Sequence, residues 1–170
     1  MLRTSVTLYF VRHGETDWNR AQRYQGHRDI PLNATGRAQA ARNGRALALA
    51  LGSDAGTLDY VASPLMRARE TMEIMRREIG LAPDGYRTDD RLREISYGHW
   101  EGELWGELHV TDPQGYAARE ADKWGWQPRG GESYRALSER VAQWLSSIER
   151  DVVVAAHGGE IGRASCRERV

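Results

Sequence analysis

Two stretches of the chain are apolar at nearly every position, "VTLYFV" at residues 6–11 and "DVVVAA" at residues 151–156. Short, continuous, β-branched runs of this kind predict strands buried on both faces of a sheet. A shorter strand is expected in "DYVASP", ending at Ser63 and Pro64. Between the strands the spacing changes. The alanine- and leucine-rich segment from Asn33 to Leu51 predicts a helix in spite of Gly44. Leu65, Ala68, Met72, Met75 and Ile79 recur at intervals of three and four, the stripe of an amphipathic helix. Ser63 is expected as its N-cap, Pro64 in its first turn and Gly80 as its stop, with the opposite, charged face solvated. A further helix capped by Ser133 turns Leu137, Val141, Leu145 and Ile148 inward, and the tryptophan-rich stretch before Gly131 is expected to be irregular.

Strands alternating with helices imply a three-layer α/β/α architecture around a mostly parallel central sheet. In such sheets ligands bind beyond the carboxyl ends of the strands. Both strong strands run into His-Gly: Arg12, His13 and Gly14 follow the first, and His157 and Gly158 follow the last.

Composition narrows the chemistry. A chain of 170 residues is one domain's worth, and its formal net charge is zero. Interspersed charges of both signs argue against a nucleic-acid partner or an anionic membrane surface, so any anion is bound locally. The amino terminus has neither the apolar length of a membrane span nor a cleavage site, and a cytoplasmic protein is expected. The single cysteine, Cys166, leaves no disulfide framework and no cysteine-based metal site. No carboxylate or histidine spacing reads as a metal site, and no cofactor is expected.

Two histidines beside an arginine suit a phosphoryl group. A neutral imidazole is a good nucleophile at phosphorus when one nitrogen is free and the other donates a hydrogen bond, and arginine's planar fork binds phosphoryl oxygens without losing its charge. A lone histidine that follows a strand is more often structural than catalytic. The pair, placed by a parallel sheet at one edge, is what points to a site.

The ordered segments "VRHGETDWN", "ASPLMRARET", "LREISYGHWEG", "PRGGES" and "VVVAAHGG" resemble the histidine phosphatase superfamily, also called the phosphoglycerate mutase-like family. The resemblance implies a histidine acid-type phosphatase that needs neither metal nor cofactor, hydrolysing a small phosphomonoester through a phosphohistidine. By matched position His13 is implied as nucleophile, Glu94 as proton donor, and His157, Arg12 and Arg67 as the groups that hold and stabilise the phosphoryl oxygens. Asn19, Gln25, Gly26 and Tyr97 match positions near the substrate. Glu15, Glu101 and Glu132 also lie in the motifs, where structural or capping roles fit them at least as well. Trp100, Trp105, Trp124 and Trp126 suit either an apolar lid or the packing of a small subdomain. The alternatives are a mutase-type phosphotransferase and a non-catalytic phosphate-ligand binding protein of the same fold. The interval from Gly98 to Gly130 is short for a mutase, although Arg119, Lys123 and Arg129 lie in it. A small-molecule partner and a monomer or homodimer are implied.

Beyond Gly159 the pattern fails. "EIGRASCRERV" has neither a helical apolar face nor strand alternation, and one back-translation of it resembles a widely used sequencing adapter. The reading is therefore one domain over residues 1–159, missing a C-terminal helix and edge strand of the family, followed by a non-native tail over 160–170.

Overall fold

In the computed structural model, which describes residues 6–159, four strands form one parallel sheet. They are β1 (Leu8–Arg12), β2 (Asp59–Ala62), β3 (Arg87–Thr88) and β4 (Val152–Ala156), in the spatial order β1-β4-β2-β3. The helices are α1 (Asp17–Arg20), α2 (Ala34–Leu51), α3 (Met66–Ile79), α4 (Leu108–Thr111), α5 (Pro113–Ala121) and α6 (Tyr134–Ser146). The expectations for residues 160–170, and for a helix and strand beyond them, lie outside the described residues.

Strand alternation sorts the core into two layers. Tyr60, Ala62, Val153 and Ala155, with Tyr9 and Val11, pack against Met72 and Met75 of α3 and against the end of α2. Val61, Val152, Val154 and Ala156, with Leu8 and Phe10, face Trp144 and Leu145 of α6. All of β4 is buried, as its sequence predicts. β1 differs from expectation. Leu8–Val11 put apolar side chains on both of its faces, but among the described residues it has a neighbour only in β4, so these four remain half-buried and Arg12 is exposed.

The helix starting near Ser63 also needs correction. It begins at Met66, and its cap position, Leu65, makes no side-chain hydrogen bond. The Met66 N–H donates instead to Asp29 Oδ1, from a loop 37 residues earlier. The Ser63 hydroxyl accepts from the Leu65 N–H at 3.3 Å, ahead of the helix, and has a shorter contact of 2.8 Å with His157. The predicted apolar stripe is buried from Leu65 to Met75, with Ile79 packed at its edge, and Gly80 ends the helix in the left-handed region at φ 87°. Its charged face is not uniformly solvated, because Arg67 and Arg76 are both buried. Arg76 lies over the Tyr60 ring, 4.4 Å from its centroid, and its Nε donates to the Ala82 carbonyl.

Gly44 proves to be a contact point. A Cβ there would sit 2.8 Å from the Met75 Cα, so the missing side chain is what lets α2 lie against α3. Ser133 caps α6 as expected, its hydroxyl accepting from the Ala136 N–H. The tryptophan-rich stretch is less irregular than expected, since α5 begins on Asp112 as N-cap and Pro113 in the first turn.

Candidate active site

Three strands end side by side on the same edge of the sheet. Arg12 is level with Ala156, and Ala62 with Ala155, so His13, His157 and Ser63 each stand one residue past the end of a strand. Backbone bonds carry the ladder past the strands: the His13 N–H donates to the Ala156 carbonyl and the Ser63 N–H to the Ala155 carbonyl, both at 2.9 Å. The turn after β1 is fixed from behind, where a Cβ on Gly14 would lie 2.3 Å from the Gly36 carbonyl oxygen in α2. Only backbone fits between these two segments.

His13 is 6% exposed. Its Nδ1 lies 2.7 Å from the Gly14 carbonyl oxygen, which can only accept, so Nδ1 carries the proton and Nε2 keeps its lone pair. Burial, followed by the positive field of Arg67, pushes His13 down to about 3 from an ordinary value of 6.5. The ring is a neutral base at physiological pH. His157 stands edge-on to it with ring centroids 5.1 Å apart. It is fully buried, and desolvation together with Arg67 holds it well below the usual histidine range.

Arg67 is fully buried in the first turn of α3. Its two terminal nitrogens donate to the carbonyls of Arg28 and Gly26, each at 2.9 Å, which aims a guanidinium that cannot neutralise by losing a proton. Glu94 follows a short turn after β3. Desolvation raises its carboxyl, against the Ile95 N–H and the positive charges of Arg67, Arg12 and Arg140. A carboxyl raised by burial within a ring of cations is suited to giving up a proton and taking one back.

A cavity of about 650 Å³ opens onto this edge, with Arg12, His13, Glu94, Gly158 and Gly159 on its walls. Arg67 and His157 do not line it but are packed behind its wall, where the charge of Arg67 is felt at His13 and the neutral His157 ring stands edge-on to that of His13. All four residues matched to the substrate, Asn19, Gln25, Gly26 and Tyr97, also line it. Asn19 Oδ1 is held by the Thr16 N–H in a reciprocal cap of α1, which leaves its amide nitrogen for the cavity. The four tryptophans divide. Trp100 is buried, stacked on Trp126 at 4.4 Å and bonded through Nε1 to Asp112, whereas Trp105 and Trp124 are part-exposed on the cavity wall. Arg119 and Lys123 of the α5 region are on that wall too; Arg129 is not.

The other glutamates singled out in the motifs, Glu15, Glu101 and Glu132, make contacts within the fold. Glu15 accepts from the Asn33 side chain, and Glu101 from the backbone N–H groups of His27 and Tyr97. Glu132 forms a two-pronged pair with Arg140, both bonds 2.8 Å. Arg140 itself donates to the carbonyls of Arg91 and Glu94 and so ties the Glu94 loop to α6. Neither Arg140 nor Ser63 is identifiable from sequence as part of the site's support. Their contacts cross 46 and 94 residues of chain, and the one available signal, a serine before Pro64, reads as a helix cap. Among the described residues no three His, Cys, Asp or Glu side chains converge as a metal site, and no helix is long and apolar enough to cross a membrane.

Comparison with known proteins gives a consistent picture. The model of the histidine phosphatase superfamily (branch 1) matches residues 8–167. Phosphoglycerate mutase-like protein 4 of Arabidopsis thaliana is 36% identical over 161 residues, covering 91% of this chain and 67% of that protein. Glucosyl-3-phosphoglycerate phosphatase of Mycobacterium tuberculosis is 35% identical over 171 residues, with coverage of 93% and 73%. The crystal structure of a phosphoglycerate mutase from Thermus thermophilus, 40% identical, superposes with a TM-score of 0.70 and covers 91% of this chain and 79% of its own.

Proposed function

The chain belongs to the histidine phosphatase superfamily, branch 1, and on that premise we propose that it is a metal-independent phosphomonoesterase working through a phosphohistidine on His13. The observation that carries the proposal is the state of His13: buried, neutral, its Nδ1 proton given to Gly14, and its Nε2 lone pair left for phosphorus.

In the first step Nε2 attacks the phosphorus of a bound monoester and the bond to the leaving oxygen breaks. Arg12, Arg67, Asn19 and His157 hold the three peripheral oxygens, and Glu94 gives its proton to the departing alkoxide. In the second step Glu94, now a carboxylate, takes a proton from water as the water oxygen attacks the phosphohistidine. Inorganic phosphate leaves, and the His13 lone pair is restored. Each group ends as it began.

A phosphotransferase reading has one observation in its favour. Arg119 and Lys123 place positive charge on the cavity wall together with Arg23, where they could hold a second acidic group of a phosphorylated acid. Between Gly98 and Gly130 the α-helices α4 and α5 are both short, which is the observation that favours hydrolysis over transfer.

The test is phosphate release from p-nitrophenyl phosphate by the chain and by His13→Ala. Loss of at least about 10³-fold in the variant is expected for a removed nucleophile, and equal rates in the two proteins would refute the proposal. Incubation with a phosphoglycerate then separates net phosphate release from isomerisation.

A further inference from the structure

We infer that Ser63 is a positioning residue that fixes the tautomer of His157, placing the ring proton on Nδ1, where it is offered to the phosphoryl group beside His13. The inference rests on the hydrolytic reading above for its purpose, but its geometry stands on its own.

Ser63 follows the last residue of β2, is fully buried, and is locked in place by its N–H bond to Ala155. Among the described residues its Oγ has two polar contacts, the Leu65 N–H at 3.3 Å and His157 Nε2 at 2.8 Å. The amide can only donate, so it occupies one lone pair of the hydroxyl oxygen. The hydroxyl has one proton to place, and among the described residues Nε2 is the acceptor it contacts. If Nε2 carried the ring proton instead, Ser63 would receive two hydrogen bonds while its own buried O–H had no acceptor. That arrangement leaves two buried groups unmet, the Ser63 O–H and the Nδ1 lone pair, whereas the Nδ1–H form leaves only the Nδ1 N–H, which a bound phosphoryl oxygen satisfies. The hydroxyl therefore donates to Nε2, and the proton of the neutral ring lies on Nδ1.

His157 Nδ1 is the counterpart of this argument. It is buried and has no hydrogen-bond partner among the described residues. As an N–H it is a donor awaiting an anionic oxygen; as a bare lone pair it would repel one. Burial and the neighbouring arginines keep the ring neutral, so it has one proton, and which nitrogen holds it decides whether it attracts or repels the phosphoryl group. Ser63 does not cap the next helix, whose cap position is Leu65; it keeps a contact to the Leu65 N–H and adds the one to His157.

The test is ¹⁵N–¹H correlation NMR of the imidazoles in the full chain at neutral pH, with and without inorganic phosphate, with His157 assigned by comparison with His157→Gln. The expected spectrum shows a protonated, pyrrole-like Nδ1 and a pyridine-like Nε2. In Ser63→Ala the populations should move towards the Nε2–H form. The kcat for p-nitrophenyl phosphate should then fall about 10- to 100-fold, somewhat less than complete loss of an oxyanion donor, and Ser63→Thr, which keeps the hydroxyl, should restore it. An Nε2–H tautomer or a doubly protonated ring in the unaltered chain with phosphate bound would overturn the inference, whether or not Ser63→Ala folds. So would a Ser63→Ala variant with unchanged tautomer and kcat. An Nδ1–H tautomer in a chain that releases no phosphate would uphold the role of Ser63 and refute the hydrolytic reading.

Discussion

His13 and Glu94 are both displaced from their usual titration ranges by the same cause, burial, and in opposite directions. Removing water disfavours the charged form of each, so the histidine is pushed down and the carboxyl up. The consequence for pH follows from the signs. His13 stays unprotonated, and so nucleophilic, down to about 3 in the free protein, while Glu94 remains a proton donor to a higher pH than an ordinary glutamic acid. The profile of kcat/KM should therefore show no loss near pH 6.5 on its acid side attributable to His13, and a fall on its alkaline side set by Glu94. For an alkyl phosphate, whose leaving group needs a proton, Glu94→Gln should remove that alkaline fall and lower kcat/KM about 10²- to 10⁴-fold. For p-nitrophenyl phosphate, whose leaving group departs unaided, the same variant should lose far less in kcat/KM, which reports the first step alone; kcat falls on both substrates because Glu94 is also the base of the second step. A steady-state comparison of the two substrates across pH checks this, and an equal loss of kcat/KM on both would deny Glu94 the role of acid.

At the scale of elements, the site is held by contacts that link distant segments. α2 and α3 approach closely because position 44 has no side chain, and α3 carries Arg67 while the start of α2 braces the turn after His13. Gly44→Ala makes the point testable, because two effects oppose each other. Helix propensity alone would stabilise the variant by about 1 kcal/mol. The new Cβ would meet backbone at 2.8 Å, and overpacking of this sort costs about 1–3 kcal/mol. We expect net destabilisation, read as a lower urea midpoint with an unchanged slope. The contrast between Gly44 and the strands shows what a sequence can disclose. β4, the stripe of α3 and the cap of α6 are legible because period and capping chemistry are local. The parallel order that brings His13 beside His157 is legible from strand type. The reason for Gly44, the tie from Arg140 to Glu94 and the hand-over of Ser63 from helix cap to histidine partner are not, since each is decided by a residue far away in the chain. That β1 has a neighbour only in β4 among the described residues escaped for a related reason: an apolar run specifies covered faces and says nothing about neighbours within the sheet.

For the whole molecule, a formal net charge of zero conceals a strongly uneven distribution. Among the described residues, Arg12, Arg23, Arg119 and Lys123 share one cavity wall with a single glutamate, Glu94, whose ionisation is suppressed by burial. A neutral protein thus presents one locally cationic cavity of about 650 Å³, which on the proposed reading takes a phosphate dianion and has room for a leaving group much larger than phosphate itself. The central claim is that catalysis passes through a phosphate bonded to His13, and the most direct measurement is to trap it. The chain is mixed with a ³²P-labelled phosphomonoester, quenched in alkali within milliseconds, digested and mapped. The account predicts a label that survives alkali, is lost in acid, lies on the peptide containing His13 and is absent from His13→Ala. Phosphate release at an undiminished rate with no label on that peptide, or with label on another residue, would contradict it.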